Sequence, residues 1–405
     1  MIPEPSCPRF IAFISREEEI SHYTALEPAS EFVFASFSSI DSKAVCVRPQ
    51  SLDQAIAHFA SLHRQSPFTA VLNRKEKCVV QAARLALALG LPPITMQPDV
   101  ARDKYAMRCR LNGNDSFPRV HLIRDEFDLE AVESSMFPCV LKPRFGFNSR
   151  SVVLVVNRCD LQAAYVEQHR LYSSLPKQDA TSADFVVEEL IQGSEHTVET
   201  LVKDGKPLFH LVSDKLAMTP PFFVEIGDNM PTALASSAQE ACRGAAERAI
   251  ARMGICNAWT HTEVRWNGYT AVVVESAARM GGGYVEELYR EVYGIDRMQM
   301  MHALFLGHAP GIAPEPRIHA AARRVVVYGS KKMRVANALE AWFDLPNVRL
   351  VSPSSVGGIS REIGGPPFEF NNTLFEFIAL GSTAVKAQTL ADRLVAHATQ
   401  GINCW

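Results

Sequence analysis

The chain has 405 residues, 47% apolar and 21% charged, which suits two or three globular domains around a sizeable core. A formal net charge of −3 gives no electrostatic footprint for nucleic acid or an anionic membrane, and apolar runs such as VVLVV at 152–156 are far too short to cross a bilayer. Nine cysteines without a CxxC or a Cys/His cluster indicate reduced thiols; with no secretion signal at the start, the expected compartment is cytoplasmic.

In the first hundred residues, β-runs alternate with helical patterns. RFIAFIS (9–15), EFVFASF (31–37) and FTAVLN (68–73) predict strands. SLDQAIAHFASLHR and KEKCVVQAARLALALG predict helices, the second ending at Gly90. This alternation implies a doubly wound parallel sheet. There is no GxGxxG, so the region either walls a substrate pocket or is purely structural. The proline-rich LPPITMQPD (91–99) is the first boundary, and Asp99 is expected to cap a helix containing Asp103, Lys104 and Arg108. A DK pair on a helix is by itself equally a solvated ion pair.

FPCVLKPRFGFNSRSVVLVV (137–156) is read as two β-runs around a loop with Lys142, Gly146, Asn148, Ser149 and Arg150. Loop amides, a hydroxyl and a strand-end ammonium are what a polyphosphate needs; the competing reading is an ordinary basic hairpin. The Walker pattern is absent. DFVVEELIQGSEHTVETLV follows as strand, bend and strand. In an adenosine pocket Glu188 would accept from the adenine amino group, backbone near Ile191 would meet the ring edge, and Glu195 would take ribose hydroxyls. Alternatively these are charged strand ends at a turn. Lys215 and then PPFFVEIGDNMP come next, where Glu225 suits a pocket wall facing an ammonium or a solvated strand end. Ser237 and Glu240 predict a capping box for a helix that Gly254 ends.

The central feature is TEVRWNGYTAVVVESAARMGGGYV, from Thr262 to Val285, a hairpin signalled by Asn267-Gly268. Each arm carries one carboxylate in apolar company, Glu263 and Glu275, which is costly to bury unless a cation meets it. A two-residue loop would set them on opposite faces. A three-residue loop, Asn267 to Tyr269, or a bulge would set them on one face as diagonal neighbours roughly 7–8 Å apart, within reach of a shared metal ion. The competing reading is two glutamates on a solvated face. After HAPGIAPEP, beyond Gly307, the remainder mixes strands (RRVVVYG, NVRLV, TLFEFIAL) with the closing helix TAVKAQTLADRLVAH and shows no catalytic pattern.

Taken in order, a helical DK, a strand-borne KP with its Gly/Ser loop, VEExIxGxE, HTE and VVVExxARMGGG resemble the ATP-grasp superfamily. More narrowly they are similar to its carboxylate–amine ligases, which include the dipeptide-forming L-amino acid ligases. The resemblance covers about residues 1–310. It implies an α/β ATP-grasp fold: an N-terminal doubly wound parallel-sheet domain (1–98), a central ATP-binding domain (99–310) with a mobile nucleotide lid at about 137–203, and a small C-terminal α+β domain (311–405). It implies ATP and Mg2+ as cofactors and small carboxylate and amine substrates as partners, with no nucleic acid or membrane, and leaves a homodimer open.

Roles follow by position. Lys104 and Lys142 would contact the nucleotide phosphates beneath the Gly146–Ser151 loop, Ser149 included. Glu188, Ile191 and Glu195 would hold adenine and ribose, and Glu263 and Glu275 would hold magnesium. Arg279 would stabilise an acyl phosphate and the tetrahedral adduct, and Lys215 the transferred phosphate. Glu225 would face the first substrate's amino group, with Asp228, His261, Gly282 and Gly283 among the substrate contacts. Gly281 and Gly282 are expected to offer backbone N–H groups to a carboxylate, and Gly283 to give room for a side chain. Three positions depart from the family: Ala277 stands where Asn is common, Asp228 where many members carry His, and Ser151 where Gly is frequent. A nucleotide-binding module without turnover, or an enzyme using another acceptor, are the rival readings.

Overall fold

The computed structural model describes residues 7–14, 17–26, 30–37, 45–113, 117–146, 149–173, 182–217, 222–308, 314–326, 331–335, 342, 344–352, 360–363, 373–400 and 402–404. The N-terminal region runs β1 (Arg9–Phe13), α1 (Glu19–Thr24), β2 (Glu31–Ala35), β3 (Val45–Val47), α2 (Leu52–Gln65), β4 (Ala70–Asn73) and α3 (Val79–Ala88). Its strands are all parallel, in the order β3-β2-β1-β4. Ile11 and Phe13 of β1 feed one core with α2 and α3, while Phe10 and Ala12 feed the other, so both faces are covered as a doubly wound sheet requires.

Next come α4 (Lys104–Asn112), β5 (Val120–Ile123), β6 (Cys139–Pro143), β7 (Val153–Val155), α5 (Arg158–Ser173) and β8 (Phe185–Glu189). These four strands form a small antiparallel sheet, β5-β8-β6-β7. The cap of α4 is Asp103, not Asp99: Asp103 is extended and its Oδ1 accepts from Tyr105 N at 3.0 Å and Ala106 N at 3.1 Å. Asp99 lies in a 3-10 turn and pairs with Arg84.

The chain then builds β9 (Ser194–Lys203), β10 (Lys206–Ala217), β11 (Glu225–Met230), α6 (Ser236–Arg252), β12 (Ala258–Trp266), β13 (Ala271–Ala277), α7 (Val285–Tyr293) and α8 (Arg297–Phe305). The predicted capping box is not formed. Helix α6 starts at Ser236, which leaves Ser237 inside the first turn and Ala235 at the cap position without a side-chain acceptor. Gly254 does end the helix, in the left-handed region at φ 61°.

The remainder supplies β14 (His319–Val326), β15 (Lys331–Val335), β16 (Val348–Ser352), β17 (Ser360–Ile363), β18 (Thr373–Gly381), α9 (Ala384–Gln400) and β19 (Ile402–Cys404). β14, β18 and β16 continue the central sheet, giving eight strands in the order β13-β12-β9-β10-β11-β14-β18-β16. β15, β17 and β19 pair separately. The small sheet ends at β8 and the large one begins at β9, so Leu190–Gly193 is the strap between two walls. Gly193 takes φ 119° where the strap passes the hairpin, and a Cβ there would collide with the Trp266 carbonyl.

Candidate active site

Register in the central hairpin sets the two carboxylates. Trp266 pairs with Ala271, not Thr270, so the loop has four residues, Asn267 to Thr270. Asn267 explains the difference: its Oδ1 accepts from Tyr269 N at 3.0 Å and Thr270 N at 2.8 Å, closing a longer turn. Continued unbroken, that register would face Glu263 with Val274 and turn Glu275 to the other side. A bulge at Val274 corrects it, and Glu263 stands directly opposite Glu275 instead of diagonally. Among the described residues no group of three or more His, Cys, Asp and Glu has metal-ligand geometry. Two hard carboxylate oxygens on one face nonetheless fit a divalent ion that completes its shell with phosphate and water oxygens.

Here each carboxylate is met by a lysine. Lys104 at the start of α4 reaches Glu275 Oε1 at 2.7 Å and the Gly146 carbonyl at 3.0 Å. Lys215 of β10 reaches Glu263 Oε1 at 2.5 Å, Glu195 Oε1 at 3.0 Å and Glu225 Oε2 at 3.6 Å. Burial disfavours that ammonium, but the three carboxylates hold its pKa well above the ordinary lysine value. Burial likewise opposes the Glu263 charge, and Lys215 and His261 overcome it, keeping the carboxyl well below its usual range.

On the small sheet Lys142 donates to Glu188 Oε1 at 3.0 Å. Arg108, from the buried face of α4, grips Glu188 through Nε at 2.7 Å and Nη2 at 3.2 Å, and also ties to the Val273 and Val274 carbonyls at the bulge. Both Glu188 oxygens are therefore engaged by protein cations, which outweigh its burial and depress its pKa. Arg265 donates to Glu195 Oε2 at 2.9 Å and to the Ile191 carbonyl at 2.8 Å, pinning the strap to the hairpin. Arg144 is bidentate on Asp103 and also reaches Asp184 at 3.0 Å, anchoring the base of the Lys142 loop. Ser149 lines the cleft in the left-handed region at φ 51°. Ser151, at φ 57°, is turned into the protein instead and its Oγ is buried. Asn148 lies outside the described residues.

At the other end Arg279 is held by Glu76 of the N-terminal region, Nε to Oε2 at 2.5 Å. Glu225 lines the cleft, and Tyr284 joins it to Asp228, which sits behind the wall. His261 donates through Nδ1 to the fully buried Glu199 at 2.6 Å, with Nε2 at 3.7 Å from Glu263. Burial lowers the imidazole pKa, but the hydrogen bond to Glu199 and the nearby Glu263 carboxylate prevail and push it up to about 9.

The glycine run differs from expectation. Gly281 N already donates to Glu199 Oε1 at 3.1 Å, so it is not available to a substrate carboxylate. A Cβ at Gly282 would meet open space, whereas Gly283 takes φ 63° and its Cβ would lie 3.3 Å from Arg324 Nη2. Room for a side chain is therefore at Gly282, not Gly283.

Of the predicted residues that are described, all but Ser151, Asp228 and Gly281 line one cleft of about 1330 Å3, partly open to solvent, between the two sheets. Arg265, Glu199, Glu76 and Tyr284 escape the sequence reading, which places Arg108 on its helix without a role. Only Glu199 carries a local signal, and a weak one: an acid within the short run VETLV.

Residues 135–287 match the family described as an ATP-grasp domain. Over 323 residues the chain is 25% identical to the alanine–anticapsin ligase of Bacillus subtilis, covering 72% of this chain and 68% of the relative. Over 266 residues it is 26% identical to carnosine synthase 1 of Homo sapiens, covering 60% of this chain but only 31% of the relative. An L-amino acid ligase from Bacillus licheniformis superposes with a TM-score of 0.76 at 22% identity, covering 99% of both chains. A carboxyaminoimidazole ribonucleotide synthase from Aspergillus clavatus, solved with ATP, gives 0.70 at 12% identity over 98% of this chain and all of that one (100%). Motif order, sheet topology and these matches agree: the chain carries an ATP-grasp domain at residues 135–287 and has the ATP-grasp fold.

Proposed function

We propose that the chain is an ATP-dependent carboxylate–amine ligase that joins one amino acid to another with release of ADP and phosphate. The observation that carries the reading is the bulged pairing of Glu263 with Glu275, each met by a lysine from a different side of the cleft. The names of the relatives, a ligase of alanine and an L-amino acid ligase among them, support an amino acid as substrate.

The nucleotide would lie between the sheets, with Lys104 and Lys142 on its phosphates and the strap, Ile191 and Glu195 along its adenosine. Magnesium, held by Glu263 and Glu275, would neutralise phosphate charge; with Ala277 beside them, two carboxylates suit one ion better than two. A substrate carboxylate oxygen forms a bond to the γ-phosphorus while the bond to ADP breaks, its electron pair leaving with ADP. The amine of the second substrate then attacks the acyl carbon, loses a proton, and phosphate departs with the electrons of the C–O bond. Lys215 and Arg279 would offset the charge on the moving phosphate and the tetrahedral oxygen. Glu76 fixes the Arg279 guanidinium, so positioning comes partly from the N-terminal region.

A phosphate-release screen of amino acids, singly and in pairs, tests the reading. Release that requires two amino acids supports it. Release with one amino acid and a different nucleophile would redirect the acceptor, and nucleotide binding without release from any combination would leave a non-catalytic module.

A further inference from the structure

Behind the cleft's amino end, one phenol lies between two carboxyls. Tyr284 Oη is 2.7 Å from Glu225 Oε1 and 2.9 Å from Asp228 Oδ2, and Tyr284 itself is completely buried. A phenol has one hydrogen and can donate to one oxygen only. The second contact is a hydrogen bond only if a carboxyl brings its own proton; otherwise two anions would crowd one donor in a dry site.

The surroundings say which carboxyl keeps it. Asp228 faces Glu225 on its own strand, Lys215 from β10, His261 from β12, Tyr284 before α7 and Tyr289 within α7. The cations favour Glu225: Lys215 Nζ is 3.6 Å from its Oε2, and Arg324 Nη1 from β14 is 3.9 Å from its Oε1. Lys215 is otherwise committed to Glu263 and Glu195. We propose that Asp228 is a neutral acid donating to Tyr284, that Tyr284 donates to Glu225, and that this chain positions Glu225 as a single-anion contact for one primary ammonium. Burial, followed by the Glu225 charge, pushes the Asp228 carboxyl up to about 8, in keeping with that direction.

The consequence is a substrate class. One negative charge held rigidly in the cleft wall selects a carboxylate that carries an ammonium, an amino acid, over amine-free acids such as bicarbonate or a hydroxy acid. Assigning that ammonium rests on the ligase reading; the shared proton does not. Asp228 and Tyr284 are then positioning residues that act through Glu225.

The test is carboxyl 13C NMR of protein labelled at its aspartate carboxyls, titrated from pH 6 to 10, with Asp228→Asn identifying the resonance. A signal that is protonated at pH 7, titrates near 8 and disappears in Asp228→Asn supports the chain. An Asp228 carboxyl already ionised at pH 7 overturns it. In Glu225→Gln, which keeps side-chain size, the midpoint should fall because the neighbouring charge is gone; an unmoved midpoint overturns the coupling. Where phosphate release is found, Tyr284→Phe should raise the KM of the first amino acid about tenfold, the loss of one hydrogen bond to a charged group, and leave the KM of ATP unchanged. Equal loss for both would make the role merely structural. If no amino acid pair gives release, the NMR titration still reads the proton, so the two failures are told apart.

Discussion

Glu199 and Glu263 are acids on neighbouring strands of one sheet, and one imidazole reaches both, yet they are built for different ends. Glu199 is wholly buried and accepts from Trp259 Nε1, His261 Nδ1, Arg297 Nη1 and Gly281 N. Those donors are fixed by the fold, and Arg297 is itself tied to Glu286 and the Gly281 carbonyl. Glu263 keeps 21% of its side chain exposed, its cations crowd one oxygen, and Lys215 is divided among three carboxylates. A saturated acid with dedicated partners holds a structure together, whereas an acid with a shared, movable partner can exchange it for a ligand. Burial alone does not separate them; the partner's other commitments do.

The sharpest way to break this comparison is Glu199→Ala. It removes one of the two carboxylates on buried Arg297 and leaves Trp259 Nε1 and His261 Nδ1 without their acceptor, and should cost about 3–5 kcal/mol of stability by chemical denaturation. A loss below about 1 kcal/mol would mean Glu199 is not the structural anchor described. Glu275→Gln should do the reverse, leaving the denaturation midpoint nearly unmoved while turnover falls about 100-fold, since an uncharged amide is a poor ligand for the divalent ion that would offset the phosphate charge. Near-normal turnover would return Glu275 to an ordinary strand residue. Lys142→Ala should weaken ATP binding about tenfold by calorimetry, the loss of one charge-assisted contact, with Arg108 still holding Glu188 in place. Unchanged affinity would remove Lys142 from the phosphate site.

Stability should also depend on pH with a predictable sign. The His261 pKa is raised from 6.5 to about 9, so its contribution is full below 6.5 and is lost as pH rises through 9. Asp228 is raised from 3.8 to about 8, so the unfolded chain has already released a proton that the native state still holds. Between those values its term also falls with rising pH. Both slopes point downward from pH 6.5 to 8, and the melting temperature should decline there. His261→Gln should flatten the decline; a rising melting temperature across that window would contradict both assignments.

Much of this was legible in the sequence because its signals are local. Strand–helix alternation and apolar runs announced the parallel sheet, Asn267-Gly268 announced the hairpin, and an acid inside AVVVES announced Glu275. What stayed hidden depends on distant partners. Nothing near Val274 reveals a bulge, whose clearest ties are to Arg108 on another element. Asp103 displaced Asp99 as cap, and Ser237 lost its role, because helix starts follow backbone that packing decides to within a residue or two. Glu76 holding Arg279 joins positions 203 residues apart, beyond any motif.

The smallest expected effect separates two adjacent glycines. A Cβ at Gly282 would meet nothing within 4 Å, and Gly282 lines the cleft, so Gly282→Leu should change stability by no more than about 0.5 kcal/mol. Its bulk would occupy space that a first substrate's side chain uses. Turnover with large amino acids should fall about tenfold while glycine and alanine are spared, since filling a pocket excludes by overlap. Gly283 has the opposite character. At φ 63° even alanine is strained there, so Gly283→Ala should cost about 1 kcal/mol and lower turnover with every substrate alike. The ratio of kcat/KM for phenylalanine to that for alanine reads the difference without depending on expression or purity. If Gly282→Leu lowers both equally while Gly283→Ala changes their ratio, the room for a side chain lies at Gly283 after all.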